Sequence, residues 1–180
     1  NILDTLKEQT LIYCSSPKTA RNLAFAYCEH LIANGETAQF NLPLIDWINN
    51  NLSYRWSLAK CLQYKIAVHD GAMPKHITSS TIQYFNNKQI TYLFCTNTII
   101  EGVNTSAKNV IYYDNKLGNK KIDYFDYSNI KGRAGRMMEH YVDCPWREQC
   151  LYAFDSRNQM LSGYYAFENG NFEYAKSNLL

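Results

Sequence analysis

Three segments of the 180-residue chain carry residue types and spacings suited to holding phosphate. The most basic is NIKGRAGRM, Asn129 to Met137, in which Arg133 and Arg136 each follow a glycine, Gly132 and Gly135. The planar guanidinium fork binds two oxygens at once, which makes arginine the residue of choice for clamping phosphates. Glycine is costly inside a helix, so two of them here mark a close backbone approach or a helix end. A lone arginine pair is ordinarily a solvated basic turn, and the doubled Gly-Arg weighs against that. The second segment, TNTIIEGVN, Thr96 to Asn104, offers hydroxyls, amides and open backbone N–H groups to an anion, and Gly102 permits a tight path. On spacing alone it is also an ordinary polar strand-to-helix turn. The third, VHDGAMP, Val68 to Pro74, brings Gly71 and its neighbouring amides. There His69 reads equally as a satisfied histidine at a strand end or as a functional one.

These segments need a frame that brings them together. Continuous apolar runs at Thr10 to Cys14, Ile66 to His69, Ile90 to Cys95, Asn109 to Tyr113 and Cys150 to Phe154 predict short strands covered on both faces. Helical patterns lie between them. Ser16 is placed to cap the first, Pro17 opens it, and Gly35 ends it, with Leu23, Ala26, Tyr27, His30 and Leu31 expected on the buried face. Ile77, Thr81, Tyr84 and Phe85 repeat the pattern after Pro74, and Leu42 to Tyr64 predicts two short helices. Alternating strands and helices predict an α/β fold, a doubly wound and mainly parallel sheet with helices on both faces. In such sheets ligands bind at the carboxyl ends of the strands, where two of the three segments begin. The tail after Met137 predicts one strand and then a polar end, so residues 1–155 form the main domain and 156–180 a tail or the start of another.

Composition narrows the classes. No apolar run is long enough to span a membrane, and no signal peptide opens the chain. The opening at Asn1, inside a helical pattern, reads as a fragment of a longer protein. A net charge of +2 fits a small local basic patch better than an all-over basic surface. The six cysteines form no CxxC pair. Cys14 and Cys95 read as buried reduced thiols, and a cytoplasmic location follows. His140, Cys144 and Cys150 lack the paired spacing and fourth ligand of a zinc site, so no metal site is expected.

In this order the segments resemble the C-terminal RecA-like half of superfamily 2 helicases. TLIYCSSPKTA is similar to motif IV, VHDGAMP to the His-Gly segment after it, TNTIIEGVN to motif V and NIKGRAGRM to motif VI. GVN with GRAGR resembles the DExH branch that includes superkiller-type helicases more than the DEAD-box proteins. The resemblance implies that Arg133 and Arg136 are catalytic arginines reaching across a cleft to ATP. It places Gly102, Asn104, Asn129 and Gly132 toward the nucleotide. It also places Ser15, Ser16, Gly71 and Thr96 along a single strand of DNA or RNA. ATP and Mg2+ would be held mainly by a preceding N-terminal RecA-like domain, because this chain has no GxxxxGK[ST] loop and no DExH run. Two departures stand out: Asn129 where Gln or His usually opens motif VI, and Asn104 where DEAD-box proteins carry Asp.

The function so implied is the second motor domain of an ATP-dependent helicase, inactive as an isolated piece. The competing reading is a catalytically silent module that binds nucleic acid or a partner. A Rossmann dinucleotide binder would need GxGxxG where the sequence has CSSPKT.

Overall fold

A computed structural model of the chain describes residues 2–130, apart from 39, 54, 100–102, 106, 115, 118–119, 124–125 and 127–128, and the strand residues 151–154 and 160–162. Strands β1 (Thr10–Tyr13), β2 (Ile66–His69), β3 (Tyr92–Cys95) and β4 (Asn109–Tyr112) are buried along their whole length. That is why their sequences run continuously apolar instead of alternating. They stand in the order β2-β3-β1-β4, all parallel. After the short antiparallel pair β5 (Lys116–Leu117) and β6 (Lys120–Lys121), β7 (Leu151–Phe154) adds in parallel to β4. A further strand that the sequence pattern does not announce, β8 (Met160–Ser162), pairs antiparallel with β7. The doubly wound, mainly parallel α/β sheet is as expected, with strand ends shorter by one or two residues.

Register decides what the sheet presents. Thr10 lies opposite both Tyr92 and Asn109, and Ile66 opposite Tyr92. The four strands therefore also finish level, at Tyr13, His69, Cys95 and Tyr112, and the loops that follow emerge side by side. The chain moves one way along the sheet from β1 to β2 and the opposite way from β2 to β3. Right-handed crossovers then put the intervening helices on opposite faces.

The first crossover holds α2 (Pro17–Ala33), α3 (Pro43–Asn51) and α4 (Ser57–Gln63), and the second holds α5 (Lys75–Asn86). A short α1 (Ile2–Thr5) precedes β1. Ser16 caps α2 as the sequence indicates, its Oγ accepting the N–H of Thr19 at 3.1 Å, with Pro17 in the first turn. Gly35 takes φ 82°, and its N–H and that of Glu36 bond back to Ile32 and Leu31. That left-handed ending suits glycine.

The buried face of α2 differs from the expected one. Ala20, Ala24, Tyr27 and Cys28 are buried, Leu23, His30 and Leu31 are half-buried, and Ala26 is exposed. Small residues at successive turns let the helix lie close on β2 and β3, so the face centres on them and not on the larger leucines. In α5 the expected set holds, with Ile77, Thr81 and Phe85 buried and Tyr84 half-buried. Cys14 and Cys95 are free and buried, and burial pushes both thiols up in pKa.

Candidate functional site

The level carboxyl edge is where polar side chains from separate loops meet. At its β2–β3 side, the turn after β2 winds around a carboxylate: Asp70 accepts the N–H of Ala72 at 2.9 Å on Oδ1. The Asp70 side chain has no solvent exposure, and a buried carboxylate is costly unless it is fully paired. Arg21, one turn into α2, supplies the pairing. Its Nε donates to Oδ2 at 2.7 Å and its Nη2 to Oδ1 at 2.9 Å, a two-point grip.

Gly71 then runs so close to the loop after β3 that a Cβ there would stand 2.9 Å from Cγ2 of Thr98. A side chain there would displace Thr98. Thr96 is buried, and its N–H donates to the carbonyl of His69 at 3.2 Å. Its hydroxyl pairs with that of Thr98 at 3.2 Å, and the Thr98 hydroxyl also lies 3.4 Å from Nδ1 of His69. Burial holds His69 below its ordinary pKa, so its ring stays neutral near neutral pH. Thr98, in the 3-10 turn Asn97–Ile99, is half-buried and is the more outward of the two hydroxyls.

On the β1–β4 side, connections leave the two adjacent strands in opposite directions, the arrangement that opens a crevice in such sheets. Ser15 spans it, donating its N–H at 2.8 Å and its hydroxyl at 2.7 Å to Oδ2 of Asp114, just past β4. Tyr13 donates its hydroxyl to the carbonyl of Lys116 at 3.1 Å, and burial raises its pKa.

Of the residues singled out in the sequence, Ser15, Ser16, Gly71 and Thr96 come together at this edge. Asn104 does not join them, since its carbonyl is tied at 2.9 Å to the side-chain amide of Asn86, at the last turn of α5. Asn129 is helical and half-buried beside Ile130, which is fully buried and anchors the start of the Gly-Arg segment in the core. Gly102, Gly132, Arg133 and Arg136 lie outside the described residues, as do His140, Cys144 and Cys150. Among the described residues no cluster of His, Cys, Asp and Glu is fit to hold a metal, and no helix is long and apolar enough to cross a membrane. Arg21, Asp70, Thr98 and Asp114 were missed by sequence reasoning. Only Asp70 and Thr98 lay inside segments already marked.

The edge thus gathers the hydroxyls of Ser15, Ser16, Thr96 and Thr98 around loops braced by two carboxylates, with the amide N–H groups named above already engaged within the protein. Comparison with known proteins gives the family. Residues 2–138 match the family described as the helicase conserved C-terminal domain. The chain is 42% identical over 135 residues to anti-bacteriophage protein B of Escherichia coli (strain K12), which covers 75% of this chain and 18% of that protein. It is 28% identical over 131 residues to the helicase POLQ-like of Drosophila melanogaster, covering 70% of this chain and 12% of that one. The chain thus spans less than a fifth of either relative's length.

Proposed function

The chain belongs to the helicase conserved C-terminal domain family, and on that premise we propose that it is the second motor domain of an ATP-dependent nucleic-acid helicase. The observation that carries this is a family match reaching residue 138, which takes in both Thr96–Asn104 and the Gly-Arg segment through Arg136. The two-domain reading follows from what the sequence contains: arginines for phosphate, without a GxxxxGK[ST] loop or a DExH run to cradle ATP and orient water.

In this proposal a preceding RecA-like domain of the same protein binds ATP and Mg2+. The ion neutralises charge on the phosphates there. Arg133 and Arg136 enter the site when the two domains close, with Gly102, Asn104, Asn129 and Gly132 shaping the wall that faces the nucleotide. Phosphoryl transfer gathers negative charge on the transferring group, so catalysis by this domain is mainly timely placement of positive charge. Closure also changes the grip of the carboxyl edge on one strand of DNA or RNA, through Ser15, Ser16, Gly71 and the Thr96–Thr98 loop. Hydrolysis and strand movement are thereby coupled. A cytoplasmic setting, where thiols stay reduced, fits its buried free cysteines.

Steady-state ATPase of the full-length protein tests this directly. Arg136→Ala should lower strand-stimulated turnover by about 10³–10⁵, the usual worth of an arginine finger, while ATP affinity stays within about tenfold. Arg136→Lys should not restore it, because an ammonium lacks the planar two-point grip. Near-wild-type turnover in Arg136→Ala would sink the finger assignment, and a full-length protein without strand-stimulated turnover would favour the silent binding module.

A further inference from the structure

We infer that Arg21 and Asp70 are a positioning pair that sets the Thr96–Thr98 hydroxyls at the strand-facing edge. This rests on the reading of that edge as a nucleic-acid grip. The contacts form an unbroken path. Arg21 holds both oxygens of Asp70 at 2.7 and 2.9 Å, and Asp70 holds the turn through the N–H of Ala72 at 2.9 Å. The turn presents Gly71 against Thr98, where a Cβ would come within 2.9 Å. Thr98 in turn holds the hydroxyl of Thr96 at 3.2 Å.

A shift of the turn toward the loop is therefore passed on to Thr98, which leaves no room at Gly71 for even one added carbon. The pair is also placed unlike one that only supports the core. The carboxylate is wholly buried while the arginine remains 45% exposed, so the link runs from the surface of α2 inward to the loop. Packing alone could be served as well by apolar residues, which often stabilise more than a buried ion pair. A charge-assisted, two-point link instead fixes an orientation. It ties the crossover that leaves β1 to the turn that follows β2, so the two loops keep one geometry as neighbouring parts of the motor move.

The test uses the full-length protein and two probes, a fluorescent oligo-dT and a fluorescent oligo-U, in binding and in stimulated ATPase. Arg21→Gln is the first variant, since a half-exposed side chain can be replaced without emptying the core, and Asp70→Asn is the second. For the better-bound probe, the concentration that half-saturates stimulation should rise about tenfold in each, the fold-change expected for one lost charge-assisted hydrogen bond. The rate at saturation should change by less than about twofold, since the defect lies in ground-state strand binding. Arg21→Lys should recover only part of the loss, because one ammonium cannot hold both oxygens. Gly71→Ala, which leaves the pair intact but pushes on Thr98, should raise half-saturation as well.

A lowered melting temperature with unchanged half-saturation in both Arg21→Gln and Asp70→Asn would overturn the inference and leave a purely structural pair. Thr98→Val, run in parallel, separates the two levels of failure. If it weakens binding while Arg21→Gln does not, the positioning pair falls and the grip stands. If neither probe stimulates the wild-type protein, the grip falls and the inference with it.

Discussion

The two ends of the same parallel strands are tied down in different ways. At the amino end most ties run from side chain to backbone, beside the side-chain pairs of Lys108 with Glu8 and Asn109 with Thr10. Tyr92 donates its hydroxyl to the carbonyls of Leu3 and Leu6 at 3.0 and 2.8 Å, Gln9 donates to the carbonyl of Phe85, and Thr10 to that of Glu8 at 2.9 Å. At the carboxyl end the ties run mainly between side chains: Ser15 with Asp114, Arg21 with Asp70, Thr96 with Thr98. A bond into a carbonyl fixes the path of the chain itself. A bond between two side chains instead fixes one loop to another and leaves the strand ladder independent of it. The fold is thus closed at one end, where the backbone itself is tied, and more open at the other, where loops are held through their side chains.

That contrast is open to attack by substitution. The largest effect on stability is expected at the closed end. Tyr92→Phe keeps the ring, which packs edge-on to Tyr27 at 5.0 Å, but removes the one hydroxyl proton that the Leu3 and Leu6 carbonyls share, the Leu3 carbonyl still accepting the N–H of Leu6. It should cost about 1–3 kcal/mol in urea unfolding and leave oligonucleotide affinity unchanged. A loss of affinity equal to the loss of stability would erase the distinction between the ends.

A smaller effect is expected at the open end. Asp114→Asn keeps an acceptor for Ser15 but removes the charge that strengthens both bonds, so about 1 kcal/mol should be lost. Here affinity for single strands should also change, because Ser15 is held less tightly. An unchanged affinity would confine the grip to the β2–β3 side.

The smallest effect is one of pH. Burial lowers the pKa of His69 below its ordinary 6.5, so the unfolded chain takes up that proton more readily than the folded one. The contribution of His69 to stability is therefore complete above about pH 6.5 and declines as pH falls below it. His69→Gln should flatten that part of the stability curve, measured by urea unfolding at a series of pH values. An unaltered slope would mean that the ring is not held neutral by the edge.

The strands were legible because burial on both faces leaves an unbroken apolar run, as in Ile66–His69, which needed no correction. The Ser16 cap and the Gly35 stop were legible because each acts within a few residues of itself. Strand order was not, since nothing local to Thr10–Tyr13 says that it will stand between β3 and β4. For the same reason Asp114 escaped notice: its partner Ser15 lies 99 residues away in sequence, and a single acid after a strand is unremarked by pattern. Arg21 reads as one more exposed helix charge until Asp70, 49 residues on, is folded against it. Thr96 was identified by type, yet only packing reveals that its hydroxyl turns to Thr98.

The place of β1 between β3 and β4 also bears on how the chain is made. Residues 10–13 leave the ribosome well before either neighbour exists, and neither of their edges has a partner until Tyr92–Cys95 has followed. At about 5–20 residues per second that interval lasts several seconds. Throughout it, TLIYC is a short, uncharged, β-prone segment of the kind that pairs with other chains. Parallel pairing over such separations is intrinsically slow as well. The helices α2 to α4 are made in that interval, but α2 and α4 pack mainly on β2 and β3, so the strand's own pairing waits for Tyr92–Cys95.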